Sequence, residues 1–313
     1  MRVVCDAHIP YLVEAVRSEW PNIDIFPLKP EQIDTAAVRD TDVLVVRTRT
    51  KVNEALLKGS KVRLVCTATI GYDHIDTAYC EAHDIRWMSC PGCNAQAVCD
   101  YIEEALEEFQ ISNTPTLGIV GVGHVGSLVA KMAERHGYKV LLNDPPKGIG
   151  VPLDDIARNC DIITFHVPLL HRTPYTVHPT SHLCDEAFLA KCKPGALIIN
   201  AARGGVVDEQ ALLRSGHPYI LDTWEDEPAI NPQVAAGATL ASMHIAGYSE
   251  QGKRNASQMC LDGIAEFFGL PKMVLPEQAP KGDSSPGWLT RITAQLKAHP
   301  DQFEPLRKNY PLR

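Results

Sequence analysis

Four glycines interrupt an apolar run in the stretch Thr116-Leu-Gly-Ile-Val-Gly-Val-Gly-His-Val-Gly126, and a helix-compatible run, Ser127–His136, follows it. Gly121, Gly123 and Gly126 therefore have the spacing G-x-G-x-x-G between a predicted strand and a predicted helix. Such glycines allow a tight turn, close approach of the backbone to a pyrophosphate, and close packing of helix on strand. The helix N-terminus offers free N–H groups and the positive end of its dipole to the phosphates. The stretch predicts a dinucleotide-binding α/β fold.

A second predicted strand, Val140–Asn143, follows the helix and leads directly into Asp144. An acidic residue at this position accepts hydrogen bonds from the hydroxyls of the adenosine ribose. Its negative charge also repels a 2′-phosphate, so the sequence predicts NAD as the cofactor in preference to NADP. A glycine-rich turn beside an acid also occurs for packing alone. Here, however, the strand, the helix and the second strand stand in the order that cofactor binding requires.

Short apolar runs alternate with amphipathic segments on both sides of this stretch. The apolar runs are Arg2–Cys5, Asp42–Val46, Arg63–Cys66, Thr116–Val120, Val140–Asn143, Asp161–Phe165, Ala196–Asn200, Tyr219–Leu221 and Thr239–Met243. The alternation predicts βαβ units, which form parallel sheets with helices on both faces. The predicted fold class is α/β, with two doubly wound parallel-sheet (Rossmann-like) domains, an active-site cleft between them and a short C-terminal appendage.

Two long predicted helices mark the domain boundaries. Ala95–Phe109 carries apolar residues at three- and four-residue spacing, and a second helix over Glu250–Phe268 closes the second α/β series. The sequence predicts a substrate-binding domain of residues 1–94 and 250–280 and an NAD-binding Rossmann domain of residues 95–249. Residues 281–313 are expected to form a short C-terminal tail, either a loop or a reduced dimerisation region, because Leu270–Arg313 is rich in Pro, Gly and Lys.

The overall composition restricts the classes of partner. The 313 residues include 30 Lys and Arg against 38 Asp and Glu, a formal net charge of −8, which argues against nucleic acid or an anionic membrane. We find no signal-peptide h-region and no apolar segment of the length that a membrane span needs. The ten cysteines follow no regular framework, as expected for free thiols in a reducing compartment. We expect a cytoplasmic protein.

Three ionisable residues follow predicted strands in the second half of the chain. Arg203 follows Ala196–Asn200, Glu227 follows Tyr219–Leu221, and His244 follows Thr239–Met243. Oxidation of a hydroxyl beside a carboxylate needs a guanidinium to hold the carboxylate and an imidazole to take the hydroxyl proton. It also benefits from a carboxylate that orients the imidazole. Each residue alone has a structural interpretation, but together, behind a dinucleotide motif, they predict a catalytic set.

The second half of the chain resembles the D-isomer-specific 2-hydroxyacid dehydrogenase family. The resemblance rests on the glycine stretch, Asn200-Ala-Ala-Arg-Gly-Gly-Val-Val-Asp208, the Asp222…Glu227-Pro228 segment and His244-Ile-Ala-Gly247. It implies an NAD-dependent dehydrogenase in which Arg203, Glu227 and His244 are catalytic. The cofactor contacts that it implies, besides the three glycines and Asp144, come from His124, Val125, Val167, Ala201, Asp222 and Gly247. It also implies a homodimer, although the C-terminal region is abbreviated here relative to the larger dimerisation domain of the branch described next. Val167 stands where a hydroxyl-bearing residue is frequent, so one hydrogen bond to NAD is expected to be missing.

Several stretches resemble one branch of this family, which oxidises a four-carbon hydroxy acid phosphorylated on C4 in the biosynthesis of pyridoxal phosphate (vitamin B6). They are Val46-Arg-Thr-Arg-Thr-Lys-Val-Asn53, Cys66-Thr-Ala-Thr-Ile-Gly-Tyr-Asp-His-Ile-Asp76, Pro91-Gly-Cys-Asn-Ala95, Asn143-Asp-Pro-Pro146, Thr164-Phe-His-Val-Pro168 and His244-Ile-Ala-Gly-Tyr-Ser249. The resemblance implies that Thr48, Thr69 and Tyr248 contact the substrate. A phosphorylated substrate also suits the basic cluster Arg47, Arg49 and Lys51, for which a solvated basic loop is the alternative.

Three other functions remain open from the sequence. One is a sister dehydrogenase that acts on D-3-phosphoglycerate or on an unphosphorylated 2-hydroxy acid. Another is a non-catalytic NAD(H)-sensing protein, which would have no need of a positioned base. A metal or thiol-redox role for Cys90-Pro-Gly-Cys93 is disfavoured, because no second pair of ligands stands at a matching spacing.

Overall fold

We describe a computed structural model of the chain, covering residues 1–109, 114–277 and 285–311. The chain divides into two compact units. The first comprises the described residues within Met1–Asn94 and Ser249–Pro280, and the second those within Ala95–Tyr248 and Lys281–Arg313. Each unit is built around its own β-sheet.

The first unit contains a five-stranded parallel sheet in the order β2-β1-β3-β4-β5. Its elements before Asn94 are β1 Arg2–Asp6, α1 Leu12–Glu19, β2 Asp24–Leu28, α2 Thr35–Val38, β3 Val43–Val46, α3 Glu54–Leu57, β4 Leu64–Thr67, α4 Thr77–Ala82 and β5 Arg86–Met88. Alternate residues along the strands enter separate hydrophobic clusters, since successive side chains of a strand point to opposite faces. Val3 and Val45 pack on one face with α1, and Val4 and Val46 pack on the other.

The second unit contains a seven-stranded sheet in the order β12-β11-β10-β9-β6-β7-β8. Its elements before Tyr248 are α5 Ala95–Phe109, β6 Thr116–Val120, α6 His124–Arg135, β7 Lys139–Asp144, β8 Ile149–Gly150, α7 Leu153–Asn159, β9 Ile162–Phe165, α8 Glu186–Leu189, β10 Leu197–Asn200, α9 Glu209–Ser215, β11 Tyr219–Leu221, α10 Pro232–Gly237 and β12 Leu240–Ala241. All pairings are parallel except that of β7 with β8. The central strands are buried on both faces, which explains why their sequences are continuously apolar.

Three further helices complete the units. They are α11 Glu250–Phe268, α12 Trp288–Ala298 and α13 Phe303–Asn309. Helix α11 packs on the first sheet through residues such as Cys260 and Ile264. Helix α12 packs on β12 of the second sheet, where the Thr293 hydroxyl accepts a hydrogen bond from the backbone N–H of Ala241. None of the helices within the described ranges is long and apolar enough to span a bilayer.

The expectation of a loop after Leu270 is wrong for residues 288–309. Trp288, Leu289 and Phe303 are buried in the core of the second unit, and the Trp288 indole N–H donates to Glu104 of α5 at 2.8 Å. The Pro- and Gly-rich composition after Leu270 indicated a loop. Most of these Pro and Gly residues lie before α12 or in the short link between α12 and α13, so they do not prevent the two helices.

The α/β fold class with two parallel sheets is confirmed. Strands β2 and β5 were not predicted. β2 contains Pro27 and lies at the edge of its sheet, and β5 is only three residues long, so neither has a continuous apolar run.

Candidate active site

The glycine stretch forms the predicted strand–turn–helix. Gly121, immediately after β6, has φ +92°, and a Cβ there would lie 2.7 Å from the backbone oxygen of His166. A Cβ on Gly126 would lie 2.0 Å from the backbone oxygen of Gly121, so this glycine lets α6 pack against the turn. At Gly123, the N-cap of α6, a Cβ would meet no atom within 4 Å. The turn therefore leaves open space beside the first N–H groups of α6, where a pyrophosphate fits.

Asp144 ends β7, beside this turn. Its Oδ2 accepts a hydrogen bond from the Val122 N–H at 2.9 Å, which fixes the carboxylate against the glycine turn. The Lys147 ammonium lies 3.8 Å from the same oxygen and donates to the carbonyl of Val122. A carboxylate in this position is suited to accept hydrogen bonds from ribose hydroxyls.

The site of the second unit lies at the point where the strand order reverses. β6 has β7 on one side and β9 on the other, and in open α/β sheets ligands bind outside the carboxyl ends of the strands at such a reversal. Val167, two residues after β9, packs over the turn, since a Cβ on Gly121 would approach its Cγ1 to 2.7 Å. Burial lowers the pKa of the preceding His166 to about 3, so its imidazole is neutral, and Nε2 lies 3.0 Å from the Thr164 hydroxyl. His124 and Val125 are the first residues of α6.

Arg203 lies in a tight loop after β10. The Asn200 side chain donates to the carbonyl of Arg203 at 2.9 Å and accepts from the Ala202 N–H at 3.1 Å, which closes the loop. The Arg203 side chain is exposed, and its Nη1 donates to the carbonyl of Ala202 at 2.7 Å. Ala201, a predicted cofactor contact, is half-buried at the start of this loop. The remaining guanidinium donors suit a carboxylate ligand.

Glu227 and His244 form a hydrogen-bonded pair. His244 Nδ1 lies 2.8 Å from Glu227 Oε2, and both side chains are partly exposed. The other carboxylate oxygen of Glu227 accepts from the Trp224 N–H at 2.9 Å. Because a carboxylate only accepts, Nδ1 carries the hydrogen, and Nε2 of the neutral imidazole is left as the acceptor. The pair therefore has the geometry of an oriented general base.

His244 adopts a left-handed conformation, with φ +57°, which is uncommon for a non-glycine residue. The buried Asp222 stabilises the surrounding backbone. Its carbonyl accepts from the His244 N–H at 2.7 Å, and its carboxylate accepts from the N–H groups of Ile245 and Ala246. Asp222 thus holds the His244 loop, and the contact with the cofactor that the family resemblance implied stays a prediction. Gly247 and Tyr248 continue this loop, and Tyr248 packs against the core.

A second set of contacts, which the sequence did not indicate, connects the Arg203 loop with the turn that carries Glu227. A Cβ on Gly204 would lie 1.8 Å from the carbonyl oxygen of Trp224, so only glycine allows the two segments to approach so closely. The Glu225 N–H donates to the buried Glu209 at 2.6 Å, and the Glu225 carboxylate accepts from His182 Nε2 at 2.9 Å. In the sequence Glu209 is an ordinary first-turn acid of α9, and nothing marks it as buried.

In the first unit, the predicted substrate residues fall into two groups. Arg47, directly after β3, is partly buried, whereas Thr48, Arg49 and Lys51 are exposed. Thr69, two residues after β4, belongs to a hydrogen-bonded chain. Both groups lie at the carboxyl ends of parallel strands, where ligands are expected.

The Thr69 hydroxyl donates to the Gly71 carbonyl at 2.9 Å and lies 2.6 Å from the Thr67 hydroxyl. Thr67 Oγ1 also lies 3.0 Å from His74 Nε2. Because the single hydrogen of Thr69 is used on Gly71, Thr67 must donate to Thr69, and His74 Nε2–H must donate to Thr67. Burial lowers the pKa of His74, which the neighbouring Asp73 partly opposes. The chain leaves Thr69 with a lone pair for a donor on a ligand.

These features together define a class of protein. The second unit carries a dinucleotide-binding turn, a fixed ribose-side carboxylate and an oriented histidine at the carboxyl edge of one sheet. This combination is that of a nicotinamide-dependent dehydrogenase.

Comparisons with known proteins agree with this class. The family model described as "D-isomer specific 2-hydroxyacid dehydrogenase, NAD binding domain" matches residues 100–253. Erythronate-4-phosphate dehydrogenase of Bacteroides fragilis is 41% identical over 341 aligned residues, covering 100% of this chain and 97% of the relative. That of Porphyromonas gingivalis is 40% identical, covering 99% and 92%. A solved structure of NAD⁺-bound 3-phosphoglycerate dehydrogenase in Entamoeba histolytica matches with TM-score 0.66 and 25% identity, covering 89% of this chain and 99% of that one.

The chain belongs to the D-isomer specific 2-hydroxyacid dehydrogenase family. It is an NAD-dependent dehydrogenase, and the predictions of the enzyme class and the cofactor are confirmed.

Proposed function

We propose that the protein oxidises 4-phospho-D-erythronate to 2-oxo-3-hydroxy-4-phosphobutanoate with NAD, in the biosynthesis of pyridoxal phosphate. The observation that carries the chemistry is the His244–Glu227 pair, with Nδ1 and Oε2 2.8 Å apart. Glu227 follows β11, the neighbour of the strand β10 that precedes Arg203, and His244 follows β12 on the other side of β11. The relatives named erythronate-4-phosphate dehydrogenase, at 40–41% identity over nearly the whole chain, support the substrate.

Each catalytic side chain has a defined task in this proposal. Arg203 holds the substrate carboxylate and polarises the C2 oxygen through its guanidinium donors. His244 Nε2 takes the proton of the C2 hydroxyl, while Glu227 holds Nδ1–H and stabilises the imidazolium that forms. NAD, when bound, accepts the hydride from C2. The proton on His244 then passes to solvent, so the alcohol loses one hydride and one proton.

The glycine turn would hold the cofactor in this proposal. The α6 N-terminus with Gly121, Gly123, His124, Val125 and Gly126 binds the pyrophosphate, and Asp144 binds the adenosine ribose. Val167, Ala201, Asp222 and Gly247 are the further cofactor contacts of the proposal, and Asp222 also holds the His244 loop. The second unit, without residues 285–311, is then the NAD-binding domain, and the first unit is the substrate-binding domain.

The substrate contacts are assigned to residues of the first unit and to Tyr248. Thr69 accepts from a substrate hydroxyl, and the basic segment after β3, with Arg47, Thr48 and Lys51, receives the anionic end of the substrate. We also propose a homodimer, and a cytoplasmic location. The location is supported by the ten cysteines, all of which are free thiols, as a reducing compartment would keep them.

The proposal is tested by mixing purified protein with NAD and one of three acids: 4-phospho-D-erythronate, D-3-phosphoglycerate or D-lactate. NADH is followed at 340 nm, in parallel with assays that supply a 2-oxo acid as a second acceptor. We expect turnover confined to 4-phospho-D-erythronate. Activity on another acid would support the proposed mechanism and contradict the proposed substrate. Inactivity on all three, with NADH still bound, would favour a non-catalytic NAD(H)-sensing protein.

A further inference from the structure

The first sheet has its own reversal of strand order. From β1 the chain passes to β2 on one side, and then to β3 on the other side of β1. This is the order 2-1-3-4-5, in which ligands bind between the carboxyl ends of the first and third strands. The segments that begin there are Ala7–Pro10 after β1 and Arg47–Thr50 after β3.

A small cavity of about 40 Å³ occupies this position. It is lined by His8 and Pro10 after β1, Arg47 after β3 and Ala68 after β4, together with residues of α11. A single water needs roughly 10–15 Å³ on this scale, so the cavity holds two or three waters, or one group of similar size. A phosphoryl group is of that size.

The charges around the cavity have one sign. The ionisable residues that line it, among those the structure describes, are His8, Arg47 and Lys253, all basic. The buried carboxylate of Asp6 lies behind His8 and is engaged there, since its Oδ1 accepts from the His8 N–H at 2.9 Å and from Nδ1 at 3.0 Å. His8 Nε2 is therefore the ring atom that a ligand can meet, and it donates to an anion when His8 is in the imidazolium form. A compact site with basic residues is suited to an anion.

The α11 side of the cavity is rigid. Lys253 and Ser257 are one helical turn apart and line the same cavity. The Ser257 hydroxyl donates to the Pro10 carbonyl at 2.6 Å, which connects α11 to the segment after β1. Lys253 is thus carried by a 19-residue helix that is fastened to the wall opposite, and Arg47 by the end of a buried strand. The backbone at both residues is therefore held in place before a ligand binds, and only their side chains remain to be ordered.

We propose that this cavity binds the phosphoryl group of the substrate through Arg47, Lys253 and His8. The proposal rests on the proposed function and changes the expected phosphate site in one respect. The sequence grouped Arg47 with Arg49 and Lys51, but those two side chains are exposed and do not line the cavity. Lys253, distant in sequence by about two hundred residues, lines the cavity with Arg47 instead; Lys51 contacts the substrate outside the cavity in this proposal.

The test compares Lys253→Met and Arg47→Met with Lys51→Met, and uses Lys272→Met as the matched control. Methionine keeps the length of the stem, and Lys272 is exposed in the same unit. For Lys253→Met and Arg47→Met we expect kcat/KM on 4-phospho-D-erythronate to fall about 10- to 100-fold, as for loss of one charge-assisted hydrogen bond. Activity on D-erythronate, which lacks the phosphate, should change less than about 2-fold. Lys51→Met should lower kcat/KM on 4-phospho-D-erythronate less than Lys253→Met does, and Lys272→Met should resemble the wild type on both acids.

A second measurement needs no turnover. Binding of inorganic phosphate is followed by ³¹P NMR titration of the wild type and the four variants. We expect saturable binding that weakens in Lys253→Met and Arg47→Met, weakens less in Lys51→Met, and is unchanged in Lys272→Met. Three results would each overturn the proposed phosphate site. They are equal losses of kcat/KM on the two acids, a larger effect of Lys51→Met than of Lys253→Met, and the absence of saturable phosphate binding by the wild type. If phosphate binds and weakens in Lys253→Met and Arg47→Met, but the protein does not oxidise 4-phospho-D-erythronate, the proposed function is overturned and the anion site is supported.

Discussion

The backbone N–H of Glu225 donates a hydrogen bond of 2.6 Å to Oε1 of Glu209, a side chain that is only 4% exposed. Burial raises the pKa of Glu209 to about 8; the hydrogen bond from Glu225 opposes this shift, and the charges of Glu225, Asp226 and Glu227 add to it. The turn that carries Glu227 is therefore fastened to a buried carboxyl group that keeps its proton near neutral pH.

Replacement of Glu209 by glutamine should change how stability depends on pH. Between about pH 4.5 and 8 the folded state keeps the proton of Glu209 and the unfolded state releases it, so the wild type loses stability as pH rises. The loss is about 1.4 kcal/mol for each unit by which the pKa is raised. Glu209→Gln has no such titration and keeps an acceptor for Glu225. We expect the Tm of Glu209→Gln to increase relative to the Tm of the wild type as pH rises from 5 to 8.

Glu209→Ala serves as the contrast. It leaves the N–H of Glu225 without this acceptor and, like Glu209→Gln, does not titrate, so its free energy of unfolding should lie about 1–3 kcal/mol below that of Glu209→Gln at every pH. Parallel Tm–pH curves for the wild type and Glu209→Gln would contradict the raised pKa.

Gly123 and Gly126 allow folding and cofactor binding to be separated. A Cβ at Gly126 would meet the Gly121 carbonyl oxygen at 2.0 Å, so Gly126→Ala should destabilise the second unit and reduce its Tm. At Gly123 a Cβ meets no protein atom within 4 Å, and φ is −85°. Gly123→Ala should keep the Tm of the wild type but raise the Kd for NADH at least ~10-fold, because the methyl group occupies the pyrophosphate space. Tight NADH binding by Gly123→Ala would contradict the assignment of Gly123 to the pyrophosphate site.

Asp144 should determine the choice of cofactor. Its carboxylate is fixed by the Val122 N–H, and Asp144→Ala removes both the ribose acceptor and the charge that repels a 2′-phosphate. We expect kcat/KM with NAD to fall about 10-fold and that with NADP to rise, with Lys147 nearby to contact the added phosphate. Asp155→Ala, an exposed acid of α7, is the matched control. An unchanged ratio of the two cofactors would contradict this role.

The sequence predicted most of what depends on local pattern. The glycine turn, Asp144 and the strand-end positions of Arg203, Glu227 and His244 follow from strand periodicity and spacing. Glu209, His74 and Lys253 gave no local signal, because their roles arise from residues brought together by the tertiary fold. Glu209 contacts a turn 16 residues away, and Lys253 lines a cavity with residues near the start of the chain. The helices α12 and α13 were missed because composition outweighed their apolar spacing.

The His244–Glu227 pair should separate chemistry from cofactor binding. His244→Ala removes the proposed base and should lower kcat at least ~10²-fold, while the Kd for NADH stays within about 2-fold of the wild type. Glu227→Gln keeps the shape but loses the negative charge that stabilises the imidazolium, so we expect a smaller fall in kcat. His299→Ala, an exposed histidine of the same unit, is the control. Equal loss of turnover and NADH binding in His244→Ala would refute its assignment as the base.

The chain from His74 through Thr67 to Thr69 should govern recognition of a substrate hydroxyl. His74→Ala leaves Thr67 without its donor, so Thr67 and Thr69 are free to rotate and the acceptor orientation of Thr69 is lost. We expect KM for 4-phospho-D-erythronate to rise about 10-fold with little change in kcat, since binding is affected and not the chemistry. His74→Gln places an amide N–H near the position of Nε2 and should restore most of the affinity. His83→Ala, an exposed histidine of the same unit, should behave as the wild type.

The lowered pKa of His74 adds a pH test of the same chain. In the folded protein His74 stays neutral below its usual value of 6.5, whereas in the unfolded chain it takes up a proton there. The wild type therefore loses stability as pH falls through this range, and His74→Gln, which does not titrate, lacks this loss. The measurement is the difference in Tm between the two proteins from pH 7.5 to 5. A 4-phospho analogue without the 3-hydroxyl, bound equally well by the wild type and His74→Ala, would support the hydroxyl contact. A 10-fold loss for that analogue as well would assign His74 a purely structural role.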